Sequence, residues 1–436
     1  MLPAAGRADG DGRHPLSGKR VYVAPMADGS ARAFAACFRA HGIDADVTPP
    51  SDQRTLEVGS RFTSGDECYP AKITAGDYLK VLERPDVDPA RVAFFMPTAG
   101  GPCRFGQYAP FLRHVLDENG YTETAVVSTN ADGSYGDLGV GPQFIRSGWR
   151  GLVAGDILRK LTLIHRPHEL EPGSADAAHE ASLAEVCGAI ERAPLAPAPQ
   201  LAALRAAIVR SRDRFRRVPG RRDRSRPLIG VVGEIFCRLN TFSNDDLVRR
   251  LEAQGAEAWM SDITEWIWYV NADHVRKLAL RHRLLTLEHL VARLRHHVQR
   301  RDEARLLAPV RDDFRGLEEP EIRALLAAAR PYLPATGAFG EMVVNVGKVV
   351  ELARRGVDGV IDISPFTCMN GIVCEAIYPR LSRDLGGLPI RNFYFDGTQS
   401  DLDRDLGIYM ELARSYGNRK QYVRRYPAYF KQPAAA

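Results

Sequence analysis

The feature that most constrains the fold is a pattern of apolar runs, each followed by a turn and a helical segment, that occurs in both halves of the chain. In the first half, "RVAFFMPTAGGPCRFGQYAPFL" joins an apolar run to a helix through a loop with proline and cysteine, and "GVIDISPFTCMNGIVCEAIYPRL" does the same in the second. Strands that alternate with helices favour a parallel sheet covered by helices. The sequence therefore predicts an α/β protein. It would have two flavodoxin- or Rossmann-like parallel-sheet domains facing a central cleft, with a helical arm and a helical insertion.

The length agrees with two domains, because 436 residues exceed what one hydrophobic core usually supports. Changes in composition and pattern set the expected boundaries: a disordered tail at 1–18, an N-terminal α/β domain at 19–140, a helical arm with an arginine-rich linker at 141–226, a C-terminal α/β domain at 227–420 with a helical insertion at about 264–335, and a tail at 421–436. The first tail lacks the apolar core of a signal peptide.

The net charge of +5 is concentrated in one segment. Between Ala202 and Arg226, ten arginines stand against Asp213 and Asp223, which is a local charge of +8. We interpret this segment as a solvated helix end and linker, with a docking patch for an acidic partner as the alternative. Nothing else suggests nucleic-acid binding, and no run of 18 apolar residues predicts a membrane span. A cytoplasmic protein is expected.

Seven cysteines without a secretion signal indicate thiols or metal ligands, not a disulfide framework. Cys37 and Cys187 lie on apolar faces of predicted helices, where buried inert thiols are common. These two are expected to belong to the core.

Three other cysteines share one chemical setting, at the start of a predicted helix. Cys68 precedes Pro70, and Cys103 and Cys368 occupy matched loops of the two halves, at the carboxyl edges of the predicted sheets. The positive end of a helix dipole stabilises a thiolate. These three are the metal-ligand candidates, with Cys237 and Cys374 as secondary ones.

The spacing of these cysteines along the chain favours an iron–sulfur cluster over a catalytic cysteine or a zinc site. A catalytic cysteine needs a base, and none of these cysteines has a histidine in its local sequence. Zinc sites usually contain close CxxC or HxxxH pairs, which this chain lacks. Single cysteines from separate loops suit an iron–sulfur cluster, and three thiolates would leave one iron open.

Four stretches resemble a known family. "GDECYPAKITAGDYL", "PTAGGPCRFGQY", "GEIFCRLNTFSNDDLVRRLEAQGAEAWMSDITEWIWY" and "PFTCMNGIVCEAI" are similar to the iron–sulfur subunits of 2-hydroxyacyl-CoA dehydratases and benzoyl-CoA reductases, closest to the stand-alone relatives of the large CoA-enzyme activase proteins. The resemblance runs from about Lys19 to Arg414 and implies a 4Fe-4S cluster in the interdomain cleft, held by Cys68, Cys103 and Cys368. Some members hold a double-cubane cluster, but six thiolates would be needed and at most five lie outside the apolar helices, so a single cluster is expected.

The resemblance also implies partners. An ATP-hydrolysing activator chain or domain would supply low-potential electrons, a homologous subunit would accompany this chain, and an acyl-CoA or a similar compound would be the substrate. The chain has no GxxxxGK[ST] phosphate loop, so ATP hydrolysis is expected in a partner. The chain would be a dehydratase or reductase component with no catalytic residue assigned. The alternative is a non-catalytic partner or structural module of a CoA-enzyme activase, with zinc or no metal.

Polar residues near the cysteines and at one strand end are candidates for substrate contacts or for tuning a cluster. The first group adjoins the cysteines, and the second follows the first strand of the C-terminal domain. The candidates are Glu67, Arg104, Glu234, Arg238, Asn240 and Asn244.

Overall fold

The protein was analysed as a computed structural model, which describes residues 16, 18–101, 103–129, 141–334, 340–398, 401–427 and 430. Within these residues, the chain forms two sheets of four parallel strands, which confirms the predicted α/β class. Nearly all of the tail predicted at 1–18, and half of the tail predicted at 421–436, lie outside the described residues.

The chain divides into two compact units, each with one sheet. Unit 1 comprises Met1–Gly155, Leu183–Ala207 and Ile267–Leu306, and unit 2 comprises Asp156–Ser182, Ile208–Trp266 and Leu307–Ala436.

The sheet of unit 1 has the order β2-β1-β3-β4, with all neighbours parallel. Its strands are β1 Arg20–Val23, β2 Ala45–Val47, β3 Val92–Phe95 and β4 Ala125–Val127. The helices between and after them are α1 Asp28–Ala40, α2 Gln53–Ser60, α3 Tyr69–Leu82 and α4 Tyr108–Glu118. The sequence "VAFF" of β3 is buried throughout, as expected for a parallel strand covered on both faces.

The sheet of unit 2 repeats this arrangement, with the order β6-β5-β7-β8. Its strands are β5 Leu228–Gly233, β6 Glu257–Met260, β7 Gly359–Pro365 and β8 Ile390–Phe395. Its helices are α8 Ile235–Leu239, α9 Leu247–Ala253, α12 Ile322–Ala329, α13 Glu341–Arg354, α14 Met369–Asp384 and α15 Leu402–Gly417. Both β5 and β7 are buried throughout, and β7 includes the polar residues Asp362 and Ser364.

Further helices come from the predicted arm and insertion. They are α5 Pro142–His165, α6 Ser174–Arg192, α7 Pro197–Arg216, α10 Ile263–Leu280 and α11 Leu287–Leu307. Over the described ranges, no helix combines the length and apolarity that a membrane span requires.

The arginine-rich segment makes specific contacts within unit 2, which differs in part from the predicted solvated linker. The guanidinium of Arg216 donates two hydrogen bonds, of 2.9 and 2.8 Å, to the buried carboxylate of Asp313. Arg222 donates to Ile164 O and to His165 Nδ1, both at 2.6 Å. These two arginines thus serve helix packing, while most of the segment is solvated as predicted, with Arg205, Arg210, Arg217, Arg221 and Arg224 exposed.

The strand order identifies where ligands bind in such a sheet. Each order is that of the first four strands of the flavodoxin sheet, 2-1-3-4-5, whose ligand site lies at the carboxyl ends of strands 1 and 3. The corresponding pairs are β1 with β3 in unit 1, and β5 with β7 in unit 2. Side chains that follow these strands therefore form the candidate site.

Candidate functional site

The three predicted ligand cysteines lie at helix starts, as the sequence predicts. Cys68 is the N-cap residue of α3, with Pro70 in the first turn. Cys103, after β3, caps the short 3-10 helix Arg104–Gln107, and Cys368, after β7, caps α14. Each thiol is half-buried at the positive end of its helix.

The backbone around Cys368 is shaped to present its sulfur to the helix start. Thr367 has a φ of 63°, which is a rare conformation for a β-branched residue. The N–H of Cys368 donates to Pro365 O at 3.0 Å, and the backbone N–H groups of Asn370 and Gly371, in the first turn of α14, act to lower the pKa of the thiol. Backbone donors of this kind stabilise a thiolate.

Two carboxyl groups lie beside Cys368. Glu341 Oε1 accepts a hydrogen bond from Ile235 N at 2.9 Å, and its Oε2 accepts from Asn370 Nδ2 at 3.3 Å. Glu234 directly follows β5 and caps α8 by accepting two backbone N–H bonds of 3.0 and 2.8 Å. The sequence predicted Glu234 and missed Glu341 and Asn370.

Burial and mutual repulsion make these groups weak acids. Burial, followed by the charge of Glu234, raises the pKa of Glu341 to about 8. Burial also raises the pKa of Glu234. For the Cys368 thiol, burial raises the pKa, and the charges of Glu341 and Glu234 raise it further. Because the ionised forms of these three groups repel one another, a cation bound between them would be stabilised.

Arg238 is a buried cation at the same strand end. Its side chain is 3% exposed, and its Nη1 donates to Gly233 O at 3.1 Å, while Nε has no hydrogen-bond partner within the described residues. Burial lowers the pKa of Arg238, and the charges of Glu265 and Glu341 act against this lowering. A buried guanidinium with an unused N–H is a ready donor for an anionic or carbonyl oxygen.

Three further candidates, Cys237 in α8 and Asn240 and Asn244 in the turn after it, all have structural contacts. Asn240 Oδ1 accepts from Ser243 N at 2.9 Å, and Asn244 Nδ2 donates to Cys237 O and Arg238 O, both at 2.9 Å. The buried Cys237 thiol lies 3.8 Å from Ser243 O. These side chains hold the turn in place, and a role in substrate or metal binding stays a prediction.

Cys374 is buried in the second turn of α14. Its sulfur lies 3.6 Å from Met342 O. Nearby, Tyr378 Oη donates to the buried carboxyl of Asp362 at 2.5 Å, and Ser364 Oγ donates to the other oxygen at 2.7 Å. These contacts pack α14 against β7, so they give Cys374 a structural role, and ligation stays a secondary prediction.

In unit 1, the cysteine at the start of α3 has a phenol as its neighbour. Cys68 Sγ and Tyr108 Oη are 2.7 Å apart. The adjacent Glu67 accepts from Ser64 N at 2.8 Å and from Gly65 N at 3.3 Å. Although burial acts to raise the pKa of Glu67, backbone donors outweigh it and the pKa is lowered. Glu67 thus braces the loop that leads to Cys68.

Thiolate is the donor type that iron–sulfur clusters use, and a cluster at these three cysteines stays a prediction. Cys68 and Cys103 belong to unit 1 and Cys368 to unit 2, and Arg104 beside Cys103 is exposed. Across the described part of the chain, no three side chains of His, Cys, Asp or Glu form a metal-binding group. What these three thiols share is a half-buried position at the start of a helix.

Comparison with known proteins gives no independent assignment. The chain matches no family model and no curated protein. The resemblance carried by the four motifs thus stays a prediction, and function has to be argued from the side chains.

A cluster of charges in unit 2, buried except for the partly exposed Glu319, was not predicted. Glu319 is its centre, and its carboxylate receives the ammonium groups of Lys160, at 2.5 Å, and Lys348, together with Trp259 Nε1 at 2.8 Å. Lys348 also donates to Glu265 at 2.7 Å, and Lys160 to Asp262 at 3.2 Å. We call this set the charged core: Lys160, Asp262, Glu265, Glu319 and Lys348.

One feature of the sequence could have predicted part of the charged core. Lys348 lies in "MVVNVGKVVEL", where a single lysine interrupts an apolar helix, and its side chain is completely buried. A lysine in such a place needs carboxylate partners. The segment "GLEEPE" around Glu319 gave no such signal, because neighbouring glutamates usually indicate a solvated surface.

Proposed function

We propose that this chain is an iron–sulfur redox protein of the 2-hydroxyacyl-CoA dehydratase type. Thiolates of Cys68, Cys103 and Cys368 would hold a 4Fe-4S cluster, a double cubane being disfavoured by the number of thiols. The protein would take part in ATP-coupled transfer of low-potential electrons to an acyl-CoA or a similar substrate. When bound, the cluster supplies one-electron chemistry at low potential.

The observation that carries the proposal is the setting of Cys368. Its sulfur lies at the start of a 16-residue helix, where the backbone N–H groups of Asn370 and Gly371 act to lower the pKa of the thiol against the larger effect of burial. N–H donors to sulfur are among the features by which proteins set the reduction potential of a cluster. The half-buried setting restricts water at the sulfur, which also affects the potential.

The residues of unit 2 would also orient a substrate. Arg238 carries an N–H group without a partner inside the described ranges, close enough to Glu341 for their charges to interact. This donor would bind a carbonyl or anionic oxygen of the substrate. Glu234 and Glu341, which lie at the end of β5 and the start of α13, would hold protons near that oxygen.

The electron donor is proposed as a separate partner. The chain has no GxxxxGK[ST] motif, so an ATP-hydrolysing activator chain or domain would drive the transfer. A homologous subunit is proposed as a second partner, on the same family resemblance.

The second candidate is a non-catalytic partner or structural module of a CoA-enzyme activase, with zinc or no metal. It is favoured by the finding that no three metal-binding side chains converge within the described residues. In this case the thiols would serve helix capping and packing.

Anaerobic purification followed by iron and sulfide analysis separates the two candidates. We expect broad visible absorption and about four irons and four sulfides per chain, which Cys103→Ala and Cys368→Ala should each abolish. Cys187→Ala is the matched control, since this thiol is buried in α6, and it should retain the iron. Colourless protein with bound zinc, or iron that persists in both loop variants, would contradict the cluster.

A further inference from the structure

A ridge of aliphatic side chains is exposed where α10 turns into α11, in unit 1. Among the described residues, fourteen large hydrophobic side chains are exposed, and seven of them lie within this stretch. We call these residues the leucine ridge: Leu280, Leu284, Leu285, Leu287, Leu290, Val291 and Leu294.

The ridge has the spacing of a helix face that is meant to be covered. Leu287, Leu290, Val291 and Leu294 follow the spacing i, i+3, i+4 and i+7 on α11, and their exposure ranges from 45% to 76%. Leu285 in the preceding turn is fully exposed. Contiguous apolar patches of this kind mark interaction surfaces, whereas single exposed leucines need no explanation.

The far end of α11 is fixed in unit 1. Asp302 is completely buried and pairs with Arg146 at 2.7 Å and with Arg150 at 2.8 Å. Gln299 and Leu306 of the same helix are also buried. The helix therefore has one end anchored in the core, while the ridge at its other end faces water.

The border of the ridge is basic. Residues 280–295 contain four arginines and one glutamate, a net charge of +3 with histidine neutral. Arg281, Arg283 and Arg293 are exposed, and the single acid, Glu288, already pairs with Arg283 at 3.0 Å. Arginine guanidinium groups match carboxylates in a two-pronged geometry.

The net positive charge around the leucine ridge distinguishes between three kinds of partner that could cover it. A second copy docking the same surface would place +3 against +3, which disfavours a two-fold contact. An anionic membrane would satisfy the arginines, but a helix that binds a membrane surface lies flat along its whole length, and α11 is anchored at its far end. An acidic helix with its own apolar stripe satisfies both the leucines and the arginines.

We propose that the leucine ridge docks an acidic amphipathic helix of a partner protein. The contact would pair apolar side chains over about two helical turns, roughly 10 Å, and place partner carboxylates against the bordering arginines. The proposal is independent of whether the chain holds a cluster, because it uses none of the cysteines.

The test uses a fluorescent peptide of about 18 residues, with leucines at helical spacing and glutamates elsewhere. Anisotropy should show binding to the full chain that weakens as salt rises, because the arginine contacts are exposed. The double variant with Leu287→Glu and Leu290→Glu should bind at least about tenfold more weakly. Leu412→Glu, which alters a 56% exposed leucine of α15, is the matched control and should bind like the natural chain.

Three results would overturn the proposal. The first is equal binding of the peptide by the natural chain and the double variant, or binding of a peptide with lysine in place of every glutamate. The second is a dimer in sedimentation that the double variant abolishes, which would make the ridge a contact between copies. The third is binding to phosphatidylglycerol vesicles without binding to the peptide, which would make it a membrane surface. Unchanged circular dichroism of the double variant shows that it folds, since the substituted side chains are exposed.

Discussion

The two sheets share one strand order but have different chemistry at their carboxyl ends. In unit 1, β1 is followed by Ala24 and Pro25, and β2 is followed by Thr48 and Pro49, none of which carries a charge. In unit 2, the corresponding ends carry Glu234 after β5 and Asp262 after β6. The topology therefore fixes where a loop emerges, while the side chains decide what the loop can do.

Two carboxyl groups, one from each unit, show how neighbouring groups decide the charge of an acid inside the protein. Asp77 of unit 1 is held by the hydroxyls of Ser51 and Thr55, at 2.8 and 2.9 Å, and burial raises its pKa from 3.8 to about 7. Glu319 of unit 2 is also affected by burial, but the charges of Lys160 and Lys348 outweigh it and the pKa is lowered. Hydrogen bonds from hydroxyl groups only partly offset the rise in pKa that burial causes, whereas nearby ammonium groups lower the pKa and keep the carboxylate ionised.

The largest expected effect is the loss of Glu319. Glu319→Ala leaves the ammonium groups of Lys160 and Lys348 without their shared carboxylate, which should lower the free energy of unfolding by about 3 kcal/mol. Urea unfolding followed by circular dichroism measures the change. Glu411→Ala is the control, because this 75% exposed carboxylate pairs with Arg414 and should cost less than about 1 kcal/mol. Similar losses in the two variants would contradict a special contribution of Glu319 to stability.

The second prediction concerns Asp77 and its pH dependence. An acid whose folded pKa is raised from 3.8 to about 7 binds a proton more tightly when folded, so its contribution to stability falls as pH rises across that range. Asp77→Asn removes this penalty and should stabilise the protein above pH 7 by on the order of 2 kcal/mol, with little effect near pH 4. Thermal unfolding at a series of pH values tests this, and Asp44→Asn, at a 56% exposed carboxylate, is the control. A stabilisation that is the same at every pH would contradict the assignment.

Much of the fold was predictable because its signals are local. Apolar runs such as "VAFF" and "LIGVVG" specify buried strands, and the turn residues between them give the α/β alternation. The helix starts at Cys68, Cys103 and Cys368 were predictable for the same reason, since proline, glycine and the following helix lie within a few residues. The strand order needed the structure, because pairing depends on contacts far apart in sequence.

The surroundings of Cys368 were only partly predictable. Glu234 directly follows a strand and could be placed, but Glu341 begins α13, more than a hundred residues later, in the same environment. The partners of Lys348 come from separate parts of the chain, Glu265 and Glu319, so no local pattern connects them. Tertiary electrostatics of this kind follow from the fold and not from the neighbouring sequence.

The third prediction concerns a buried base of unit 2 and has the opposite sign to that of Asp77. His165 accepts a hydrogen bond from Arg222 at Nδ1, and burial, followed by the charge of Arg222, lowers its pKa from 6.5 to about 2. The neutral ring of His165 makes its full contribution to the free energy of unfolding above pH 6.5. Below that pH the unfolded chain binds a proton that the folded protein does not, so stability falls by up to about 1.4 kcal/mol per pH unit. His165→Gln should flatten the loss of stability between pH 6.5 and 4, while His114→Gln, at a 65% exposed ring, should not. An unchanged slope in His165→Gln would contradict the assignment.

The smallest expected effect comes from breaking an exposed ion pair, for which a buried ion pair of similar length is the comparison. Arg20 Nε lies 2.8 Å from Asp44 Oδ2 in unit 1, much as Lys348 Nζ lies 2.7 Å from Glu265 Oε2 in unit 2. The first pair is about half exposed and the second is buried, so water and salt screen only the first effectively. Asp44→Ala should cost about 0.5 kcal/mol, and this cost should vanish in about 1 M salt. Glu265→Ala should cost several-fold more, with little change in salt, because the desolvated ammonium of Lys348 loses a partner that water cannot replace. Salt-dependent losses of similar size in both variants would show that Lys348 is reached by solvent, and the contrast between the two pairs would then fail.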